Sequence, residues 1–283
     1  MFCNLLNVAG LTPEKWKREE IRTMASQRIE SVAKALTILM LFKTNKTEWG
    51  VTEIACELGM QKSTVYRLLS TMQEFGFVRK NGEGTAYRLG LRIFELGSVV
   101  SNSFDFRDIA VSYMHKLSEQ CGETIHLGIL NDNEVMSIEA VEAQSSLKSA
   151  IIVGKRAPLY CTSVGKALLA FLPTEERKQI IQSIHFEKFT EHTIINQDAL
   201  EKELELIREQ GYAIDNMEHV IGITCAAAPI FDAVGTVVGS LSISGPSVRL
   251  DPQRLSECVK FVLATAKDIS KDLGYKAISL KIK

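Results

Sequence analysis

The 283-residue chain has no apolar run longer than a handful of residues, whereas a helix that spans a bilayer needs about 20. Its start also lacks the cationic stretch and small-residue cleavage site of a secretory signal, so a cytoplasmic protein with no membrane partner is expected. Proline is scarce at 6 residues and glycine stands at 18, which excludes collagen-like and low-complexity classes. The six cysteines (Cys3, Cys56, Cys121, Cys161, Cys225, Cys258) form no C-x-x-C pair and no zinc spacing with histidine. Reduced thiols, no metal and no cofactor are the expectation. Catalytic signatures are missing as well. Gly165-Lys166 is followed by Ala167, and Tyr160 stands where a phosphate-binding loop has its first glycine. Ser163 and Ser242 lack the glycines of G-x-S-x-G, and the five histidines (His115, His126, His185, His192, His219) include no H-E-x-x-H. The chain is not expected to be an enzyme. A Cys-dependent hydrolase using Cys161 or Cys225 stays open only if the fold supplies a histidine partner.

Charge is nearly balanced at -1 overall but uneven along the chain. Residues 26 to 92 hold ten Lys/Arg and six Asp/Glu, net +4, and residues 93 to 283 hold nineteen and twenty-five, net -6. A small basic module followed by a larger acidic one suits nucleic-acid binding by the first part, and chance clustering of surface charge is the alternative. The length suggests two domains. We divide the chain into an N-terminal extension (1–25), a DNA-binding unit (26–90), a linker helix (91–104) and a second domain (105–275). Met24-Ala25-Ser26 could be an internal start.

Within 26–90, Val32, Leu36 and Leu39 recur with Ala35 and Phe42 alongside, the stripe of an amphipathic helix, before a polar loop from Lys43 to Gly50. One template then occurs twice. Val51, Ile54, Ala55 and Leu58 are spaced i, i+3, i+4, i+7, and after Gly59 so are Val65, Leu68, Leu69 and Met72. Two short helices around a glycine turn make a helix-turn-helix, with Ser63 able to cap the second. Asn81-Gly82 between the β-prone runs 77–80 and 85–89 predicts a hairpin, which completes a winged helix. The second helix turns Ser63, Thr64, Arg67, Ser70 and Thr71 away from its apolar stripe. Arg67 is the expected base reader, because a guanidinium can bridge guanine O6 and N7 in the major groove. Lys62, Ser63, Thr64 and Tyr66 are placed on base edges or flanking phosphates. Arg79, Lys80 and Arg88 of the wing are placed on phosphates or the minor groove. An ordinary solvated helix face is the alternative.

The second domain alternates short strands with helices. Strands are expected at 124–130, 135–141, 147–153, 211–214, 223–231 and 236–243, and helices at 163–171, 175–184, 197–210 and 252–273, which gives an α+β domain on a largely antiparallel sheet. Ser240, Ser242 and Ser244 share one strand face, and Ile223, Cys225 and Ala227 share a face of the preceding strand. Thr162 or Ser163 opens a helix whose free amides favour an anion. A pocket for a small carboxylate follows, and serines bonded to their neighbours are the alternative.

The runs Ser31-Val32-Ala33-Lys34-Ala35-Leu36, Lys62-Ser63-Thr64-Val65-Tyr66-Arg67-Leu68-Leu69 and Tyr87-Arg88-Leu89-Gly90 resemble the IclR-type bacterial transcription regulators. So do Pro158-Leu159-Tyr160-Cys161-Thr162-Ser163-Val164-Gly165-Lys166-Ala167 and Gly222-Ile223-Thr224-Cys225-Ala226-Ala227-Ala228-Pro229-Ile230. The resemblance covers residues 28 to 273. It implies a winged helix-turn-helix and a GAF/profilin-like effector-binding domain with the pocket on Ser163, Val164, Asp215, Ile223, Cys225, Ser242 and Ser244. It also implies a homodimer or tetramer on a pseudo-palindromic double-stranded operator, acting as a repressor. Met217 and Ala226 depart from the pattern. The combination of Phe94-Glu95-Leu96-Gly97, Glu123-Thr124-Ile125-His126-Leu127-Gly128 and Pro158-Leu159-Tyr160 is similar to regulators of pectin and sugar-acid breakdown, which implies a 2-keto-3-deoxy sugar acid (2-keto-3-deoxygluconate) as effector. A metabolite-sensing module that acts on protein partners, its helix-turn-helix serving only for dimerisation, is the reading of another class.

Overall fold

The computed structural model describes residues 29–42, 46–81, 85–101 and 105–276. The N-terminal extension, Gly82 of the expected turn and the end of the expected linker at 102–104 lie outside the described residues. The chain forms two compact units, Met1–Asn102 and Ser103–Lys283. Among the described residues no helix is long and apolar enough to cross a membrane.

The first unit contains α1 (Glu30–Leu41), β1 (Trp49–Gly50), α2 (Val51–Glu57), α3 (Lys62–Glu74), β2 (Val78–Lys80), β3 (Ala86–Leu89) and α4 (Leu91–Ser101). Its core gathers Ile38, Phe42, Trp49, Ile54, Val65, Leu69, Met72, Val78 and Tyr87. The repeated template thus buries both helices of the pair against one cluster, and Gly59 at φ +61° makes the turn between them. Three expectations change here. First, α1 turns Ile38 and Phe42 inward, while Val32 and Leu36 are about half exposed with Ile29 and Met40; the helix is apolar on two faces, and only the Ile38 face meets the core. Second, the cap position of α3 is Gln61, with no side-chain cap, so Ser63 lies inside the first turn rather than capping it. Third, Trp49–Gly50, expected in a loop, pair with Tyr87 and Ala86, giving a three-stranded sheet in the order β1-β3-β2. The Asn81 amide donates to Ala86 O at 3.0 Å, which carries the β2–β3 pairing one residue past Lys80.

The second unit contains α5 (Asp105–Cys121), β4 (Thr124–Asn131), β5 (Glu134–Val141), β6 (Arg156–Ala157), α6 (Ser163–Phe171), α7 (Thr174–Ser183), α8 (Gln197–Gln210), β7 (Ala213–Asn216), β8 (Ile223–Phe231), β9 (Val237–Pro246) and α9 (Pro252–Asp272). The strands form one antiparallel sheet in the order β6-β5-β4-β9-β8-β7. Strand alternation sorts its two faces. Ile125, Leu127, Leu241, Ile243, Ala226 and Ala228 pack with Met114 and Leu117 of α5 and Val262 and Ile269 of α9. Val135, Ala213 and Ala227 face the other way, toward Val164 and Leu168 of α6 and Leu204 and Ile207 of α8. Caps fix the helix starts: Asn196 accepts from Ala199 N at 2.9 Å and Asp251 from Arg254 N at 2.8 Å. Residues 147–153 are not a strand. The short edge strand is β6, and the β-prone run Ile151-Ile152-Val153 has no ladder partner; β propensity is realised only against a neighbouring strand.

Candidate functional site

On α3, Lys62, Ser63, Tyr66, Arg67, Ser70 and Thr71 are exposed, and Thr64 is half-buried. The polar arc is therefore free of the core that fixes Val65 and Leu69 on the opposite side. The wing register puts Arg79 directly opposite Arg88 and Lys80 opposite Tyr87. Arg79 and Arg88 share one face, where like charges across a ladder repel, and Arg88 Nε is buried without a protein partner. Lys80 belongs to the other face, its ammonium 5.6 Å from the Tyr87 ring centre. The three cations expected to act together are thus split two and one by the strand pleat.

The second unit encloses a cavity of about 410 Å³ on the α6 side of the sheet. All seven residues expected around an effector line it: Ser163, Val164, Asp215, Ile223, Cys225, Ser242 and Ser244. Register explains the convergence. Thr124, Ser244, Cys225 and Asp215 are lateral neighbours on four successive strands, β4, β9, β8 and β7, and His126, Ser242 and Ala227 form the next row. Cys225 Sγ lies 3.1 Å from Ser244 Oγ, and Ser244 Oγ donates to Ser149 Oγ at 2.9 Å. Ser240, the third hydroxyl of its face, donates to Ala228 O at 3.1 Å and does not reach the cavity. Above the sheet, Thr162 caps α6 by accepting from Gly165 N at 3.2 Å. The first-turn amides of Ser163 and Val164 have no acceptor within the helix, and both residues line the cavity. That is the arrangement in which helix starts hold anions.

Electrostatics of the cavity wall centre on Asp215, only 4% exposed. Burial, with the carboxyl of Glu218 nearby, pushes its pKa up to about 7, although its Oδ1 accepts from Glu218 N at 2.7 Å. Glu218 is itself raised by burial and is held by Lys166 Nζ at 2.6 Å, which also donates to Glu203 at 3.1 Å. Burial holds the His126 imidazole down to about 4 and lowers His219, with Lys155 adding to the effect. Both rings line the cavity as neutral groups.

Two family profiles match the chain: the IclR helix-turn-helix domain over residues 31–82 and the bacterial transcriptional regulator IclR C-terminal domain over residues 98–271. The chain belongs to the IclR family. Among curated IclR relatives, the HTH-type transcriptional regulator KdgR of Escherichia coli strain K12 is 39% identical over 247 residues, covering 87% of this chain and 94% of that protein. The HTH-type transcriptional repressor AllR of the same strain is 35% identical over 254 residues, covering 90% and 94%. Among solved structures, the Thermotoga maritima IclR superposes with a TM-score of 0.74 at 35% identity, covering 88% of this chain and all of that one.

As an IclR regulator the chain is a DNA-binding transcription factor and not an enzyme, and the thiols agree. Burial and the adjacent Asp215 raise both Cys225 and Cys161 above the ordinary thiol range, the reverse of an activated nucleophile. Cys225 has serine rather than histidine beside its sulfur. Several cavity residues were not singled out as pocket residues from sequence: His126, Ser137, Lys148, Ser149, Lys155, Arg156 and His219. His126 carries a readable signal, since it alternates with Ile125 and Leu127 on a strand whose apolar set faces the core. The loop residues 148–152 carry none, because nothing local says that the segment folds over a sheet face.

Proposed function

We propose that this IclR-family chain represses transcription from a pseudo-palindromic operator as a homodimer or a dimer of dimers, and that a small carboxylate of the sugar-acid class, bound in the cavity of the second unit, changes operator occupancy. The observation that carries the reading is the convergence of Ser163, Val164, Asp215, Ile223, Cys225, Ser242 and Ser244 on one cavity, where the α6 start and a carboxyl held near neutrality both contribute to the wall. A carboxylate at the helix start and hydroxyls toward Asp215 and the serines match donor to acceptor. Repression is supported by the likeness to a relative named as a repressor. Self-association is supported by the half-exposed row Ile29, Val32, Leu36 and Met40 on α1, an apolar stripe of the kind that marks an interface. Two copies related by a two-fold axis would set their α3 helices roughly 34 Å apart, one turn of DNA.

The test is fluorescence anisotropy on the DNA upstream of the gene, with and without 2-keto-3-deoxygluconate, pyruvate or glyoxylate. Arg67→Ala is expected to cost about 1–3 kcal/mol on the operator and to relax sequence preference, whereas Lys80→Ala weakens all sequences alike and flattens the salt dependence. Equal losses for Arg67→Ala on operator and random DNA would remove the base-reading role. An operator affinity that no acid changes would remove the effector.

A further inference from the structure

Two further cavities lie in the second unit, and neither shares a lining residue with the one described above. The first, of about 390 Å³, is walled by the turn from α6 into α7, by Arg177 of α7 and Arg208 of α8, and by Thr236 and Val237 at the start of β9. The second, of about 540 Å³, is walled by Pro229 and Phe231 of β8, Leu263 of α9 and Tyr275. Phe171 and Arg208 line both, so the two spaces adjoin at those side chains.

Two guanidiniums line one cavity there without a counter-ion. Arg208 Nη1 is shielded from solvent and has no hydrogen-bond partner in the protein, and polar groups so sealed are ordinarily satisfied. Arg177 makes a long bond of 3.5 Å from Nη1 to Leu172 O, and among the described residues neither side chain forms an ion pair. Burial and the charge of Arg208 both lower the Arg177 pKa, as two cations held near each other must. Glu201 and Glu205, which face Arg177 from α8, are exposed. Glu209 on the wall of the second cavity is exposed too, and the exposed Lys267 offsets it. Helix α7 also starts at this place: Thr174 lines the first cavity, and Pro173 at the cap position supplies no side-chain acceptor, which leaves first-turn amides free. Of the acidic residues in that turn, Glu175 is drawn to Lys178 at 3.6 Å and Glu176 lines a different cleft.

A single carboxylate answers one guanidinium. A phosphate monoester carries close to two negative charges at neutral pH and three acceptor oxygens, enough for both, and the planar fork of arginine suits it. Its organic group then meets the apolar wall next door, where the rings of Phe231 and Tyr275 stack with centres 5.1 Å apart; an apolar pocket with a few placed charges is the usual make-up of a small-molecule site. We infer that Arg177 and Arg208 form a second ligand site, separate from the effector cavity, that takes a phosphate monoester, with the phosphate between the guanidiniums and the organic group against Phe231 and Tyr275.

Isothermal titration of the full chain with phenyl phosphate, inorganic phosphate and succinate, in a buffer free of phosphate and sulfate, provides the test. It is repeated on Arg208→Gln and Arg177→Gln, with thermal unfolding run beside it; the two changes lie on different helices, so one still reports if the other disturbs the fold. The wild type is expected to bind one phenyl phosphate per chain, about tenfold tighter than inorganic phosphate or succinate, and each variant to weaken it at least tenfold, the scale of a lost charge-assisted bond. Without ligand, Arg208→Gln is expected to melt no lower than the wild type, because removing one of two unneutralised cations relieves repulsion. A wild type that binds no phosphate compound, or variants that bind phenyl phosphate as the wild type does, would overturn the site. Succinate bound as tightly as phenyl phosphate would overturn the choice of phosphate, and inorganic phosphate bound as tightly would overturn the part given to the apolar wall.

Discussion

Asp215 makes stability depend on pH in a direction opposite to that of an ordinary ion-paired carboxylate. Its pKa stands at about 7 in the folded chain because burial outweighs the backbone amides it accepts from; the unfolded chain titrates it near the usual value of 3.8. Between those values the folded state binds one proton more than the unfolded state. Its contribution is complete below about pH 4 and is lost as pH rises through 7. The slope is at most about 1.4 kcal/mol per pH unit, or about 4 kcal/mol across the whole window. Glu218 titrates beside it and shares the effect, so about 1 kcal/mol per unit is the working figure. Asp215→Asn removes the titration and keeps an oxygen for the Glu218 amide. Urea denaturation of both proteins at intervals from about pH 5 to pH 8 measures the difference directly. The curves should diverge with rising pH, the variant becoming relatively more stable by about 2 kcal/mol between pH 5 and pH 7. Parallel curves would refute the reasoning, since they would mean that Asp215 is either ionised throughout or not buried as described.

Arg249→Ala strands the carboxylate of Glu123, which is 5% exposed and held through both oxygens at 2.6 Å; because Arg249 is itself a third exposed, the expected loss is about 2–3 kcal/mol, below the full cost of breaking a buried pair, read by chemical denaturation, and a loss under about 0.5 kcal/mol would assign Glu123 another partner. Gly165→Ala places a methyl group 2.4 Å from Leu159 O and 2.5 Å from its Cα, backbone that cannot rotate away, so a loss of about 3 kcal/mol is expected, and an unchanged melting temperature would contradict the close approach of α6 to that turn. Leu36→Glu, on the half-exposed side of α1, tests the proposed self-association: the mass by light scattering should fall below that of the wild type with the melting temperature of the second unit unchanged, and an unaltered mass would remove this face from the proposal.

Periodicity carried most of the architecture. The helices at 163–171 and 197–210 and the strand at 223–231 are found where their apolar spacing places them; the helix at 197–210 buries one side only and its sequence records that asymmetry, while the other two are apolar runs buried on more than one side. Where the record is ambiguous the reading went astray. In α1 both sides are apolar, and spacing alone favoured Val32 and Leu36 over Ile38. The run 147–153 has strand composition but spans the cavity, with Ser149 anchored by Thr124 Oγ1 at 3.2 Å and by Ser244, contacts about 25 and 95 residues away in sequence that no local pattern encodes. The wing was legible as a hairpin, yet the separation of Lys80 from Arg79 and Arg88 depended on which face the pleat assigns to Tyr87. For the cavity, alternation flagged Ser242, Ser244 and Cys225 and could have flagged His126, while Ser137 became visible only once β4 and β5 were seen to be neighbours.

The sorting of β8 and β9 into two faces separates two kinds of selection. Odd and even positions along the same ten residues answer to different constraints: Leu241 and Ile243 to the tight fit of α5 and α9, Ser242 and Ser244 to the cavity on the other face. A lineage can therefore exchange one inducer for another by changing every second side chain, with the scaffold beneath left untouched. On the proposed reading the scaffold is shared and divergence is confined to the side of the sheet that never meets those two helices.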